Sequence, residues 1–195
     1  MIVAVRGLEP GDVELVRAID RSEHVDRQYA VIDGRLVDAP VFKSDIPAWD
    51  PHGDGEFSVA HQIHFCAERV AEGGVLLGAF DHDSPLGIAI VHPRFEPPMA
   101  WLSWLHVSRP HRRRGAAAAL WNEAARQARN ASAITMYVSA TPTGSAVGFY
   151  LSRGCHLATP PHPALFAKEP EDIHLVCDVG PGDRSTTRGR ENGLV

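Results

Sequence analysis

The sequence is short of several things, and each shortage excludes something. Of its 195 residues only three are cysteine: Cys66, Cys155 and Cys177. The number is odd, no two are spaced as a pair, and no signal peptide precedes them. The expectation is buried free thiols in a reducing cytoplasm. No base is visibly paired with any of them, which argues against a nucleophilic cysteine. No apolar run approaches the roughly 18 residues needed to span a bilayer, so no membrane partner is expected. Positive charge is not in excess either. Nineteen Lys and Arg against 24 Asp and Glu leave a net charge of −5 and a pI near 6.1. That balance excludes a general nucleic-acid binder, and the arginines at 109–114 have no second basic stripe beside them. There is no internal repeat. His61 and His64 stand three apart on one predicted helix with no third ligand beside them, so no metal site is expected.

What is present suffices for a sizeable core: 44% of the residues are hydrophobic. Residues 1–179 read as one domain. Residues 180–195 hold almost nothing apolar and read as a disordered tail. The organising stretch runs from Trp101 to Asn130. Met99 to Val107 is apolar and aromatic, as in a strand buried on both faces. A cationic turn follows, Arg109-Pro110-His111-Arg112-Arg113-Arg114. Beyond it Ala117, Leu120, Trp121, Ala124 and Ala128 repeat at three and four, which makes one helical face. Gly115, Ala116 and Ala117 let a ligand approach the backbone at the helix start. There the unpaired N–H groups and the helix dipole suit a phosphate.

The remaining elements follow in order. Ile2 to Arg6 predicts a strand, and Glu9-Pro10-Gly11-Asp12 opens a short amphipathic helix ending near Arg21. Asp33-Gly34 between apolar runs predicts a hairpin over 28–37. Residues 38–56 read as one long loop containing Trp49, either a substrate-facing aromatic or an anchor to the core. Phe57 to Ala71 predicts a helix. Val75 to Phe80 and Leu86 to His92 predict strands, and Pro93 to Pro98 a loop. Ala133 to Ser139 predicts a strand with Ile134, Met136 and Val138 on one side. Thr141 is expected to cap a helix that starts at Pro142 and stops at Gly154. Cys155 to Ala158 and Ile173 to Val179 predict the last strands. The fold class is therefore α+β, with a central sheet and flanking helices.

Arg112-x-x-Gly115-x-Ala117 resembles the pyrophosphate loop of the GNAT acetyltransferases, whose pattern is Gln/Arg-x-x-Gly-x-Gly/Ala. Ala146-x-x-Phe149-Tyr150-x-x-x-Gly154 resembles that family's later helix, with one strand between the two motifs as in the family. Ser139-Ala140-Thr141-Pro142 and Glu169-Pro170-Glu171-Asp172-Ile173-His174 resemble a bacterial subgroup of the same family. The resemblance is specific over about residues 99–155. It implies a layered GNAT-like fold, with about four helices around a mixed, mostly antiparallel sheet of six to seven strands. It implies direct transfer of an acetyl group from acetyl-CoA to an amine, with no covalent intermediate and no metal. A non-catalytic acyl-CoA sensor on the same fold is the alternative, and a homodimer is common among such proteins.

The resemblance also implies site residues. Tyr150 takes the place of the acid that protonates the CoA thiolate, and a phenol of pKa near 10 suits that leaving group. Leu105, His106 and Val107 take the strand end that splays from its neighbour and receives the acyl-pantetheine arm. Arg112, Arg113, Arg114, Gly115, Ala116 and Ala117 form the phosphate loop, and Phe149 lies beside Tyr150 on the later helix. The asparagine usual near the start of the second motif is missing, and Thr143 or Ser145 is expected in its place. For the base, His106 at the strand end competes with Glu23 and Glu56. Its bland alternative is a satisfied sheet histidine. The acidic surface favours a cationic acceptor, such as a polyamine, an aminoglycoside-like drug or a lysine.

Overall fold

The computed structural model describes residues 2–42 and 44–180. The predicted disordered tail therefore lies, from 181 onward, outside the described residues. The strands and helices in chain order are β1 (Ala4–Gly7), β2 (Glu23–His24), β3 (Gln28–Ile32), β4 (Arg35–Ala39), β5 (Asp45–Ile46), α1 (Val59–Ala71), β6 (Val75–Asp81), β7 (Ser84–Glu96), β8 (Met99–Val107), α2 (Ala116–Asn130), β9 (Thr135–Ala140), α3 (Gly144–Ser152), β10 (His156–Leu157), α4 (Pro163–Lys168) and β11 (Ile173–Asp178). A mixed seven-stranded sheet carries them in the order β1-β6-β7-β8-β9-β11-β10. Every neighbouring pair is antiparallel except β8 and β9, which run parallel across the crossover through α2.

Alternation along the strands divides the core in two. Leu77, Ala89, Leu102 and Val138 face α2 and α3, meeting Leu120, Ala124, Ala128 and Val147. Leu76, Ile88, Ile90 and Trp104 face the other way, onto Val13, Val16, Val59 and Cys66. Small alanines along the buried side of α2 let its backbone lie close to the sheet, where larger residues would hold it off.

β8 is not uniform. Ile90 pairs with Trp104 but Val91 pairs with Leu102, so Ser103 is an extra residue in the ladder. Its hydroxyl donates to the Ile90 carbonyl at 3.3 Å and meets His92 Nε2 at 3.0 Å, which pins the bulge. Such a bulge shifts the alternation by one position. Leu102 and Val107 therefore share the α2 face although they differ in parity, and Trp104 takes the opposite face.

Several elements differ from expectation for physical reasons. Pro10–Ala18 is a 3₁₀-helix, closed by a capping box between Glu9 and Asp12. Its apolar residues Val13, Val16 and Ile19 recur every three positions, the period at which a 3₁₀-helix stacks side chains. The long 38–56 loop contains β5, which pairs with β2, and Trp49 within it is buried. α1 starts at Val59, two residues after the expected Phe57, because Ser58 caps it by accepting from the His61 N–H at 3.1 Å. β7 runs on through Pro93 to Glu96, so the expected loop shrinks to the turn before Met99. Ile134 precedes β9 and is exposed. Residues 163–168 form α4, whose Leu165 packs on Trp101 and Tyr137. The expectation of three free thiols fails. β10 and β11 pair His156 with Val176, which brings the neighbouring Cys155 and Cys177 to a Cα separation of 4.2 Å, and they form a disulfide. Only Cys66 is free among the described residues, and burial pushes its thiol up to about 12.

Candidate active site

β8 and β9 pair only from Met99–Thr135 to Leu102–Val138. Beyond that pair the two parallel strands part, so Leu105, His106 and Val107 leave their backbone edge toward β9 unpaired by any sheet contact. Leu105 and Val107 turn toward α2, and His106 turns the other way with Trp104.

The phosphate loop continues from this strand end. Gly115 is the N-cap of α2 at φ +91°, a left-handed conformation that glycine adopts without strain. Arg113 is left-handed too, at φ +61°. The turn places the first N–H groups of α2, at Ala116 and Ala117, at the surface end of a 15-residue helix with no acidic residue in its first turn. Arg113 and Arg114 are exposed beside it. A helix N-terminus reached past the exposed Gly115 and flanked by two exposed guanidinium groups fits a pyrophosphate.

Arg112 is turned elsewhere. Its guanidinium donates to the Val107 carbonyl at 3.0 Å and the Arg21 carbonyl at 2.9 Å, and meets Glu23 Oε2 at 3.3 Å. It shapes the loop and ties it to the 20–23 segment. Asp20 strengthens that tie, since its N–H donates to Ser108 Oγ and its carbonyl accepts from the Arg109 N–H.

The second motif lies on α3, and its start differs from expectation. The cap is Thr143, which accepts from the Ala146 N–H at 3.3 Å, so the helix begins at Gly144. Pro142 instead joins the neighbouring hairpin, its carbonyl accepting from the Tyr29 N–H at 2.9 Å. A Cβ at Gly144 would stand 2.9 Å from the Arg27 side chain, so only glycine permits that approach. With Thr143 used as the cap, Ser145 is the exposed hydroxyl of the pair, 3.1 Å from it. Phe149 and Tyr150 both meet Trp121 edge-on, at 6.3 and 5.8 Å.

Tyr150 is 7% exposed. Burial and the charges of Asp172 and Glu169 push its phenol up, with no hydrogen bond acting against them. Burial and the neighbouring Glu169 and Glu171 push the Asp172 carboxyl up from 3.8 to about 7. Glu169 is held by a short hydrogen bond to the Ser139 hydroxyl at the end of β9. The sequence contained this group in Glu169 to His174, but nothing in residue spacing shows that β11 returns beside α3.

His106 is wedged between aromatic rings, 5.1 Å from Trp49 and 4.5 Å from Trp104. Some of its surface is open, yet it lies deep enough that burial, aided by Arg21 and Arg112, pushes it down to about 3. It is neutral at ordinary pH and a weak base. Trp49 stacks on Trp104 at 5.8 Å, the anchor alternative rather than a substrate-facing ring. Of the other expected bases, Glu23 is engaged by Arg112 and Glu56 is exposed on the 38–56 loop.

A cavity of about 290 Å³ is lined by Arg21, Val25, Gln28, Ile46, Phe57 and residues 141–143. A larger one of about 480 Å³, between the ends of α1 and α2 and β7, holds none of the predicted site residues. Among the described residues, no group of three His, Cys, Asp or Glu is placed to hold a metal. Nor is any helix long and apolar enough to cross a membrane.

The sequence pattern of the acetyltransferase (GNAT) family matches residues 40–155. The chain belongs to the GNAT family. It is an acyltransferase on the GNAT fold, and the match spans the parted strands, the phosphate loop and Tyr150. Solved structures agree on the fold. A nourseothricin acetyltransferase superposes with a TM-score of 0.67 at 19% identity, over 92% of this chain and 99% of that one. The PaiA N-acetyltransferase of Thermoplasma acidophilum, solved with coenzyme A, gives 0.57 at 13%, over 91% and 99%. The ribosomal-protein-S18-alanine N-acetyltransferase of Escherichia coli gives 0.58 at 13%, over 94% and 98%. No curated protein matches this GNAT chain in sequence.

Proposed function

We propose that this GNAT protein transfers an acetyl group from acetyl-CoA directly to a primary amine. One observation carries the proposal: the parting of β8 from β9 beyond Leu102 and Val138, bordered by the Gly115 loop on one side and by Tyr150 and Asp172 on the other. The loop amides and Arg113 and Arg114 take the pyrophosphate, and the unpaired edge at 105–107 receives the acyl-pantetheine arm. The amine nitrogen attacks the thioester carbonyl carbon, the carbon–sulfur bond breaks, and the thiolate takes a proton from Tyr150.

The amine must first lose a proton. Asp172, held near 7, is better matched to that task than His106, held near 3, because a base works best when its pKa lies near the working pH. Burial is the largest cause of the raised phenol and the Asp172 charge the next. An ammonium arriving between Asp172 and Tyr150 offsets that second part and makes the phenol a better acid. A non-catalytic acyl-CoA sensor would need the phosphate loop but no acid and base beside the parted strands.

The deciding experiment joins a thermal melt with acetyl-CoA to an assay of CoA release over a panel of amines. A ligand that binds only the native state raises the melting temperature. A rise together with amine-dependent release supports the transferase, and a rise with no release from any amine supports the sensor.

A further inference from the structure

We propose that the acceptor carries a carboxylate as well as its amine, and that Arg21 receives that carboxylate in the cavity beside Phe57. The inference rests on the transferase reading and names the class of its acceptor.

Arg21 is half-buried, and its guanidinium stands 5.8 Å over the ring of Trp49 and 5.6 Å over that of Phe57. It makes no ion pair among the described residues. Its neighbours are better served: Arg112 meets Glu23, and Arg27 meets Asp38 at 2.7 Å. Glu23 is the carboxylate that acts on Arg21, but Arg112 already holds it. Burial, followed by the repulsion of Arg112, pushes the Arg21 guanidinium down, as expected of a cation short of counter-charge. A partly desolvated guanidinium with free donors calls for an anion, and its fork matches a carboxylate.

Position assigns that anion to the acceptor rather than to the cofactor. The Arg21 carbonyl meets Arg112, but the Arg21 guanidinium stands over Trp49, which packs on Trp104 and His106 on the sheet face opposite α2. The phosphate loop opens α2 on the other face. The cavity that Arg21 lines is mostly apolar elsewhere, with Val25, Ile46 and Phe57 beside Gln28 and two threonines, and its 290 Å³ suits a small molecule. The opposite pole is also present. The cavity ends at residues 141–143, and β11 starts beside them: Ile173 pairs with Ala140, which sets the preceding Asp172 level with Thr141. A cation in the cavity and a carboxyl beside its end orient a zwitterion. A polyamine would leave Arg21 unpaired.

The test uses matched pairs: the common α-amino acids and their carboxamides, with a diamine as a third probe, followed by CoA release. The wild-type protein should acetylate at least one amino acid with kcat/KM at least tenfold above its amide. Arg21→Ala should bring that ratio to about one by raising the amino-acid KM, with the acetyl-CoA KM unchanged. Arg21→Lys should restore part of the ratio. Equal use of acid and amide, release with the diamine alone, or a ratio unmoved by Arg21→Ala overturns the carboxylate proposal and leaves the transferase standing. No release with any probe, despite an acetyl-CoA-induced melting shift, removes the transferase reading and this proposal with it.

Discussion

At the scale of single residues the proposed chemistry comes down to one phenol and one carboxyl. Tyr150→Phe keeps the ring against Trp121 and removes only the proton. Its turnover should fall roughly 100-fold with the acetyl-CoA KM unchanged, since general acids contribute on that order; steady-state kinetics in both substrates checks this. Asp172 acts as a base only when ionised, so wild-type kcat/KM should rise with pH through about 7. Asp172→Asn should lower the plateau and erase that limb, while His106→Ala should leave it in place, because His106 does not titrate near there. The helical place of Tyr150 was legible in the sequence because Phe149-Tyr150-x-x-x-Gly154 is local and falls on one helix. Asp172 and Arg21 were not legible as partners of this site. Each reaches it through the tertiary fold, Asp172 by the return of β11 and Arg21 by the crossing of 20–23 over the loop at 108–112.

Elements show the same division. The 3.6-residue repeat of α2 and the apolar run of β8 were readable because burial imposes them on the sequence. Arg112 was readable as part of the loop but not in its role, since side-chain direction depends on which carbonyls the fold brings near. Removing it leaves the Val107 and Arg21 carbonyls without their donor and Glu23 without its cation. Arg112→Ala should therefore lower stability by roughly 1–3 kcal/mol. It should also shrink the melting shift given by acetyl-CoA, although the side chain is aimed away from the phosphate loop's open side. Melts of the variant with and without acetyl-CoA measure both. The cap of α3 was misplaced by two residues for a related reason. Thr141-Pro142 is a good local start signal, but the hairpin takes the Pro142 carbonyl and Thr143 serves instead.

Over the whole molecule, the buried titratable groups set how stability follows pH. His92 is held down to about 4 and His106 to about 3, chiefly by burial. Between those values and 6.5 the unfolded chain binds protons that the native state refuses, so stability is lost as pH falls through that window. Asp172 has the opposite sign: between 3.8 and about 7 the native state holds a proton that the unfolded chain has released, so its contribution weakens as pH rises. The two histidines outnumber it, and the melting temperature should fall from pH 6.5 to pH 4. Asp172→Asn removes the offset. The variant should gain on the wild type as pH rises across that range, by up to about 3 kcal/mol. Melts of both proteins at several pH values check the sign. The disulfide bears on the whole molecule too, because it withdraws the argument from free thiols to a reducing compartment.

The extra residue at Ser103 has a consequence for heredity. β8 carries two reading phases, one before Ser103 and one after it. Loss of that single codon would put the strand in one phase throughout and still leave Leu105 and Val107 toward α2, with Trp104 and His106 opposite, because the residue removed is the extra one. A deletion there would erase the bulge and its bonds to Ile90 and His92 without exchanging the two faces of the strand, whereas an added residue in the regular stretch after it would exchange them.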